Sequence, residues 1–209
     1  MDGHLKNQTP SLAQSHENDL VARVRSGDQS AWESLYDRHS VRVWKYVARL
    51  LGEPGETVAE VVQEVFLAAI KGIDHYDNQI GTVWQWLTGI AHRQVADHFR
   101  RKARHRREKE PAVVRHVSMI AQADELSENP VAALQQSEVA ERVRMVLGEI
   151  SSEYAALLMA RYMDRRSVQE LQELFSGSSN SIRSKLRRAR AEFQQAYLRV
   201  EERGGQSND

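Results

Sequence analysis

Apolar residues recur at steps of three and four along almost the whole of this chain, and no stretch alternates at steps of two over a strand's length. That periodicity places one apolar stripe on each of a series of helices and fixes the fold class as all-α. Leu20, Val21 and Val24 open the series, and Ser26-Gly27-Asp28 stops it. A second helix starts there, with Ser30 and Glu33 at capping-box spacing, and carries Trp32, Leu35, Tyr36, Val43, Trp44, Val47, Leu50 and Leu51 to Gly52-Glu53-Pro54-Gly55. Val58, Val61, Val62, Val65, Phe66 and Ile70 line the third. A polar loop from Asp74 to Thr82 precedes a long helix with Trp86, Leu87, Ile90, Ala91, Val95 and Phe99.

From about His105 to Asn129 the period is lost, which predicts a linker. Asn129-Pro130, a cap followed by proline, restarts the helices, with Val131, Leu134, Val139, Val143, Val146, Leu147 and Ile150 as the stripe. Ser151-Ser152 opens a helix with Leu157, Leu158 and Tyr162 inward. Ser167 and Glu170 form a second capping box before Leu171, Leu174 and Phe175. After the turn Ser176-Gly177-Ser178-Ser179, the last helix carries Ile182, Leu186, Ala189, Phe193, Tyr197 and Val200. The expectation is two small helical bundles joined by a flexible linker, over 18–104 and 130–200, with a disordered leader over 1–17 and a tail over 201–209.

Charge narrows the function. The 29 basic residues balance 29 acidic ones, yet the signs are segregated. Residues 100–109 read RRKARHRREK and residues 183–190 read RSKLRRAR, while Glu53, Glu56, Glu60 and Glu64 gather elsewhere. Segregated charge gives different faces different partners. A short helix, a turn and a longer helix with an acid-free basic face make a helix-turn-helix pattern. Asn180, Ser181, Arg183, Ser184, Arg187 and Arg188 lie where a recognition helix meets DNA. The loop HYDNQIGTVWQW sets the aromatics Tyr76 and Trp84 among polar and flexible residues ahead of the first basic tract, a pattern suited to unpaired bases. For Trp84, plain packing is an equal alternative. Glu60, Gln63 and Glu64 share the outer side of the third helix and can meet a basic protein surface.

Enzyme chemistry finds no foothold. There is no cysteine, phosphate loop, metal-ligand spacing or nucleophile motif, and His92 and Asp97 have no visible partner cluster. No cofactor is expected. No apolar run reaches the roughly 20 residues that cross a bilayer, and the N-terminus lacks a secretory pattern, so a cytoplasmic location is expected.

Four strings in order, DLVARVRSGDQSAWESLYDRH, VVQEVFLAAI, WQWLTGIAHRQVADHFRRKAR, and EISSEYAALLMARYMDRRSVQELQELF followed by SIRSKLRRARAEF, resemble the extracytoplasmic-function sigma factors of the sigma-70 family. The resemblance covers about Asp19 to Tyr197. It implies a protein that binds core RNA polymerase and directs promoter-specific initiation, with region 2 over 18–104 and region 4 over 130–200. Glu60, Gln63 and Glu64 would face the clamp helices of the largest subunit, and region 4 the flap of the second. Tyr76, Asp77, Asn78, Trp84, Arg93, Asp97, Arg100 and Arg101 would serve the minus-ten element. Asn180, Ser181, Arg183, Ser184, Arg187 and Arg188 would serve the minus-thirty-five element. The acidic linker would thread polymerase channels, and an anti-sigma factor would cover the apolar rims.

The chain departs from the family pattern at Trp84, Gly89 and Arg93, of which Arg93 bears on minus-ten preference and Gly89 on helix stability, and at Arg166, Gln172, Ser176 and Gly177, which predicts a less tightly packed helix-turn-helix. Two other classes remain open: a stand-alone helix-turn-helix regulator, and a degenerate sigma-like interaction protein.

Overall fold

The computed structural model describes residues 12–52, 55–109 and 130–205. These form eight α-helices: α1 (Leu12–Arg25), α2 (Gln29–Leu51), α3 (Gly55–Gly72), α4 (Val83–Lys109), α5 (Pro130–Glu149), α6 (Ser152–Leu158), α7 (Val168–Phe175) and α8 (Ser179–Gly205). A 3-10 turn, Ile73–His75, follows α3, and a π turn, Met159–Met163, continues α6. No strand occurs among the described residues.

Local chemistry sets the boundaries. Asp28 caps α2 by accepting from the backbone N–H groups of Ser30 and Ala31, and Gly52 ends the helix in the left-handed conformation at φ 59°. The cap is therefore Asp28 rather than a Ser30–Glu33 box, because the carboxylate two residues earlier already takes the free donors. Burial of the Asp28 carboxylate is slight, and hydrogen bonds from Ser30 and then Arg23 hold it down to about 2. α1 begins at Leu12, inside the expected leader, and Glu17 reaches the buried His39 at 2.9 Å. α4 runs through the basic tract to Lys109, so helix replaces the first residues of the expected linker. Likewise α8 continues to Gly205, past the expected start of the tail. The leader up to residue 11, the linker from 110 to 129 and the tail from 206 lie outside the described residues, as do the side chains of Val131 and Leu134.

In the first bundle α1, α2, α3 and α4 bury Val21, Leu35, Val47, Leu51, Val61, Val65 and Leu87. Each fully buried aliphatic contributes about 1.5–3 kcal/mol relative to exposure. Five expected core residues lie outside. Tyr36 and Trp44 are exposed because Leu35 and Val43, each one position earlier, take the inward places on α2. Ile70 is exposed because Ala69, one position earlier, takes the inward place on α3. Val139 is exposed because burial on α5 is complete only from Val146. Tyr162 is exposed because the π turn inserts an extra residue and rotates it out of the stripe.

The two bundles do not stand apart. They share one continuous core, with α4 packed against α5 and α6. Gly89, His92, Ala96, Phe99 and Ala103, spaced three and four apart on α4, form a stripe of buried positions. A Cβ on Gly148 of α5 would lie 2.6 Å from the Phe99 carbonyl oxygen and 3.1 Å from the Ala103 Cβ. Only glycine permits that helix approach. A Cβ on Gly89 would lie 2.8 Å from Leu174 of α7. The departure at Gly89 thus makes room for the second bundle.

A polar cluster crosses the same boundary. Asp164, after the π turn, pairs with Arg49 of α2 at 2.7 Å and with the His92 Nε2 of α4 at 3.1 Å, and accepts from the Tyr46 hydroxyl. Tyr46 also lies 2.7 Å from His92 Nε2. Burial alone would raise the Asp164 carboxyl, but the hydrogen bonds from His92 and Tyr46 outweigh it and bring it well below the usual carboxylate range. Burial lowers His92 against the opposing pull of Asp164, so the ring is neutral. Its Nδ1 has no partner among the described residues, which fits the tautomer that carries the proton on Nε2.

Candidate nucleic-acid interface

The C-terminal surface is built by a capped helix, a tight turn and a basic helix. Ser167 accepts from the Glu170 backbone N–H at 3.2 Å, and Glu170 accepts from the Ser167 N–H at 2.8 Å, so the expected capping box is present. The Ser167 N–H and then Arg166 hold the Glu170 carboxyl down to about 2. Ser176 ends α7 at φ 49°, and the Ser178 hydroxyl accepts from Ser181 N–H at 3.2 Å as α8 begins. Leu171, Ile182 and Leu186 close the underside. Asn180, Arg183, Arg187 and Arg188 are exposed on the other side, with Ser181 and Ser184 half-buried beside them. Arg188 donates to Ser184 at 3.3 Å, whereas Arg183 and Arg187 pair with no carboxylate among the described residues. Two unpaired guanidinium groups one turn apart suit phosphates or base edges in one groove.

The 74–82 loop is held from below. Arg25 donates to the Ile73 carbonyl at 3.1 Å and also to that of Tyr76. Tyr76 is itself buried, its hydroxyl donating to the Gly81 carbonyl at 3.0 Å and its ring 5.4 Å from Trp86. Burial, then the nearby Glu17, pushes its phenol up to about 12. The ring is therefore a support under the loop and not an exposed stacking surface. Asp77 and Asn78 are exposed and line a cavity of about 200 Å³ with Asn18, Val21, Ala22 and Arg25. The Asn18 Oδ1 is buried without a hydrogen-bond partner among the described residues. Sequence reasoning missed Asn18 and Arg25, which no motif marks. It also missed the Thr82–Gln85 capping pair that starts α4, although threonine three residues before glutamine is a legible signal.

Trp84 packs edge-on to Tyr46 at 5.7 Å with the Arg42 guanidinium 3.8 Å over its ring, so packing accounts for it. Arg93 reaches the Leu174 carbonyl at 3.5 Å and lies over the Phe175 ring, and Arg100 reaches the Ser152 hydroxyl at 3.5 Å. Asp97 is half-buried between them. Arg101 instead makes a two-pronged pair with Glu64 at 2.9 and 3.0 Å. Glu60 and Gln63 are exposed on α3, and the exposed Leu67 extends their face. Charged groups around an apolar centre fit a protein-docking surface. The partner cluster that the sequence denies His92 exists, formed by Tyr46, Arg49 and Asp164 from distant segments. His92 is fully enclosed, which makes the cluster a structural junction.

The likeness to known proteins falls on the first bundle. Residues 35–105, which span most of α2 and all of α3 and nearly all of α4, match the family model described as Sigma-70 region 2. An ECF RNA polymerase sigma factor SigK of Mycobacterium sp. (strain KMS) is 35% identical over 81 residues, 39% of this chain and 42% of that protein. SigK of Mycobacterium tuberculosis (strain ATCC 25177 / H37Ra) is 33% identical over 81 residues, 43% of its length. The matched part thus spans about two fifths of these relatives. A solved structure of CnrH in complex with the cytosolic domain of CnrY aligns over 86% of this chain and 95% of its own, at 24% identity and a TM-score of 0.45. Among the described residues, no helix is long and apolar enough to cross a membrane.

Proposed function

We propose that this chain, whose residues 35–105 match the model of Sigma-70 region 2, is an alternative sigma factor of the extracytoplasmic-function type. In this reading it binds core RNA polymerase in the cytoplasm and selects promoters, with no catalytic step of its own. One observation carries the reading. The family match coincides with the helices that present both the Glu60–Gln63–Leu67 face and the loop at Asp77 and Asn78.

Glu60, Gln63 and Glu64 serve as the contact with the clamp helices, the two carboxylates meeting basic side chains and the Gln63 amide offering a neutral hydrogen-bonding group around Leu67. The cavity beneath the 74–82 loop takes one flipped base of the minus-ten element, where Asn18, Asp77 and Asn78 offer hydrogen bonds to its edge. Arg93, Asp97, Arg100 and Arg101 follow the strand along α4. Asn180, Ser181, Arg183, Ser184, Arg187 and Arg188 take the minus-thirty-five element in the major groove. Tyr76 and Trp84 hold their shapes from within, as their burial and ring contacts support. An apolar groove of about 260 Å³, lined by Val143, Leu147, Leu158, Met159, Tyr162 and Phe193 among others, is the surface for the flap or for an anti-sigma factor.

The test is co-elution of the full chain with sigma-free core polymerase, repeated with Glu60, Gln63 and Glu64 changed to alanine. A stable complex weakened by the triple change is the expected result. No complex, with salt-sensitive binding to duplex DNA by the chain alone, would replace this reading with that of a stand-alone regulator.

A further inference from the structure

Basic side chains recur along one face of α2. Arg38, Arg42, Lys45 and Arg49 stand at steps of four, three and four, within an arc of about 60° on an α-helix. All four are exposed. Arg49 is taken by Asp164 at 2.7 Å, but Arg38, Arg42 and Lys45 pair with no carboxylate among the described residues. Asp37, the nearest acid in sequence, lies about 100° round the helix from Arg38. The docking face on α3 and the helix-turn-helix leave these residues unused.

The stripe runs beside the start of α4. Arg49 shares Asp164 with His92, Tyr46 lies 5.7 Å from Trp84, and the Arg42 guanidinium lies 3.8 Å over the Trp84 ring. α2 is therefore antiparallel to α4 there, and the stripe passes the end of the 74–82 loop, where Val83 begins α4. Its Arg38 end is level with the cavity under that loop. α1 meets α2 through Glu17 and His39 at 2.9 Å; Asn18, beside Glu17, lines the cavity, and Arg38 is beside His39.

We propose that Arg38, Arg42 and Lys45 form a phosphate-binding rail, along which the backbone of single-stranded DNA runs beside the 74–82 loop. The rail rests on the proposed function only for the source of its ligand, the melted strand whose base enters the cavity. From Arg38 to Lys45 is about 10 Å along the helix, the rise of about three nucleotides of one strand. A guanidinium stacked on an indole keeps the N–H donors in its own plane for an anion, so Trp84 acts as the seat of Arg42. Val41 and Trp44, 65% and 39% exposed, flank the stripe and offer an aromatic and aliphatic surface beside the cations. Cations tracking a backbone beside an aromatic surface suit an unpaired strand.

The test is binding of the full chain to fluorescein-labelled single-stranded DNA of mixed sequence, followed by anisotropy over ionic strength. Arg38→Ala with Lys45→Ala should make the fall of log K with log salt shallower by about 1.4, for two single-strand phosphate contacts. Lys71→Ala with Arg199→Ala removes the same charge from exposed sites on α3 and α8 and should leave the slope unchanged. Trp44→Ala, with helix content retained, should weaken binding about fivefold or more at an unchanged slope. An unchanged slope in Arg38→Ala with Lys45→Ala would overturn the rail. Equal loss of slope in the two double variants would overturn it too, as a non-specific effect of net charge. If the stripe variant instead lost binding to phosphatidylglycerol vesicles while its DNA slope held, an anionic membrane surface would replace DNA as the ligand. None of these readouts uses polymerase, so failure of the sigma reading would show separately, as absence of co-elution with core enzyme.

Discussion

Ser176→Gly offers a direct test of how the recognition helix is positioned. Ser176 ends α7 at φ 49° and ψ 82°, and its N–H donates to the Gln172 carbonyl. An L-residue in the left-handed region costs about 1–2 kcal/mol, whereas glycine enters it freely. Against this, glycine adds about 0.4–1 kcal/mol of unfolded-state entropy. Ser176 is exposed and its side chain makes no hydrogen bond among the described residues, so nothing else is lost. The net expectation is a gain of about 0.5–1 kcal/mol, which at this chain length raises Tm by about 1–4 °C. Urea unfolding followed by circular dichroism measures it, with Ser176→Ala as control. Alanine keeps the Cβ and should leave stability nearly unchanged. If glycine were no more stable than alanine, residue 176 would not be left-handed in solution, and the account of this turn would fail.

Replacing Arg183 and Arg187 by alanine should reduce the salt slope of duplex binding by about 2, one phosphate contact for each arginine, as read from a binding titration over ionic strength. Their double replacement by glutamate should abolish upstream promoter contacts while leaving co-elution with core polymerase intact. Ser167→Ala should cost about 1 kcal/mol through loss of the cap, measured by denaturant unfolding. Glu170 lies below its ordinary value of 4.5, so its contribution is present above about pH 4.5 and is lost as pH falls towards about 2, a decline that Glu170→Gln should flatten. His92 is also held below its ordinary 6.5, so unfolded chains take up the proton first. Stability should fall as pH drops through about 6.5, and His92→Asn should remove that part of the profile.

Most of the fold is legible because helix boundaries and stripes are local. Gly52, the Ser167–Glu170 box and the apolar steps of α3 each announce themselves within a few residues. Failures come where another segment decides. Tyr162 follows the helical period and is exposed, because a π turn shifts the register. Tyr76 looks like a stacking surface until Arg25 and Trp86 are seen to fold the loop over it. His92 finds Asp164 seventy-two positions away, a juxtaposition that no local pattern encodes. The departures at Gly89 and Arg93 were visible in the sequence, but their reason was not. Both meet α7, whose approach depends on how the bundles pack.

Ion pairs offset part of the charge of the basic groups in that packing. Arg49 pairs with Asp164, Arg101 with Glu64, Arg107 with Glu149, and Lys185 with Glu153. Two of these pairs, at Arg49 and Arg107, join one bundle to the other. These four acids thus satisfy basic groups of the folded chain. Exposed pairs such as Arg101–Glu64 are worth little and are screened by salt, so polymerase or DNA can take either member at small cost. Asp164 differs, since its side chain is 8% exposed and removing one partner strands buried polar groups. The surface pairs therefore shape which faces are available, while the buried junction tolerates the loss of no single partner. Arg183 and Arg187, paired with no carboxylate among the described residues, can meet an anionic partner without any such exchange.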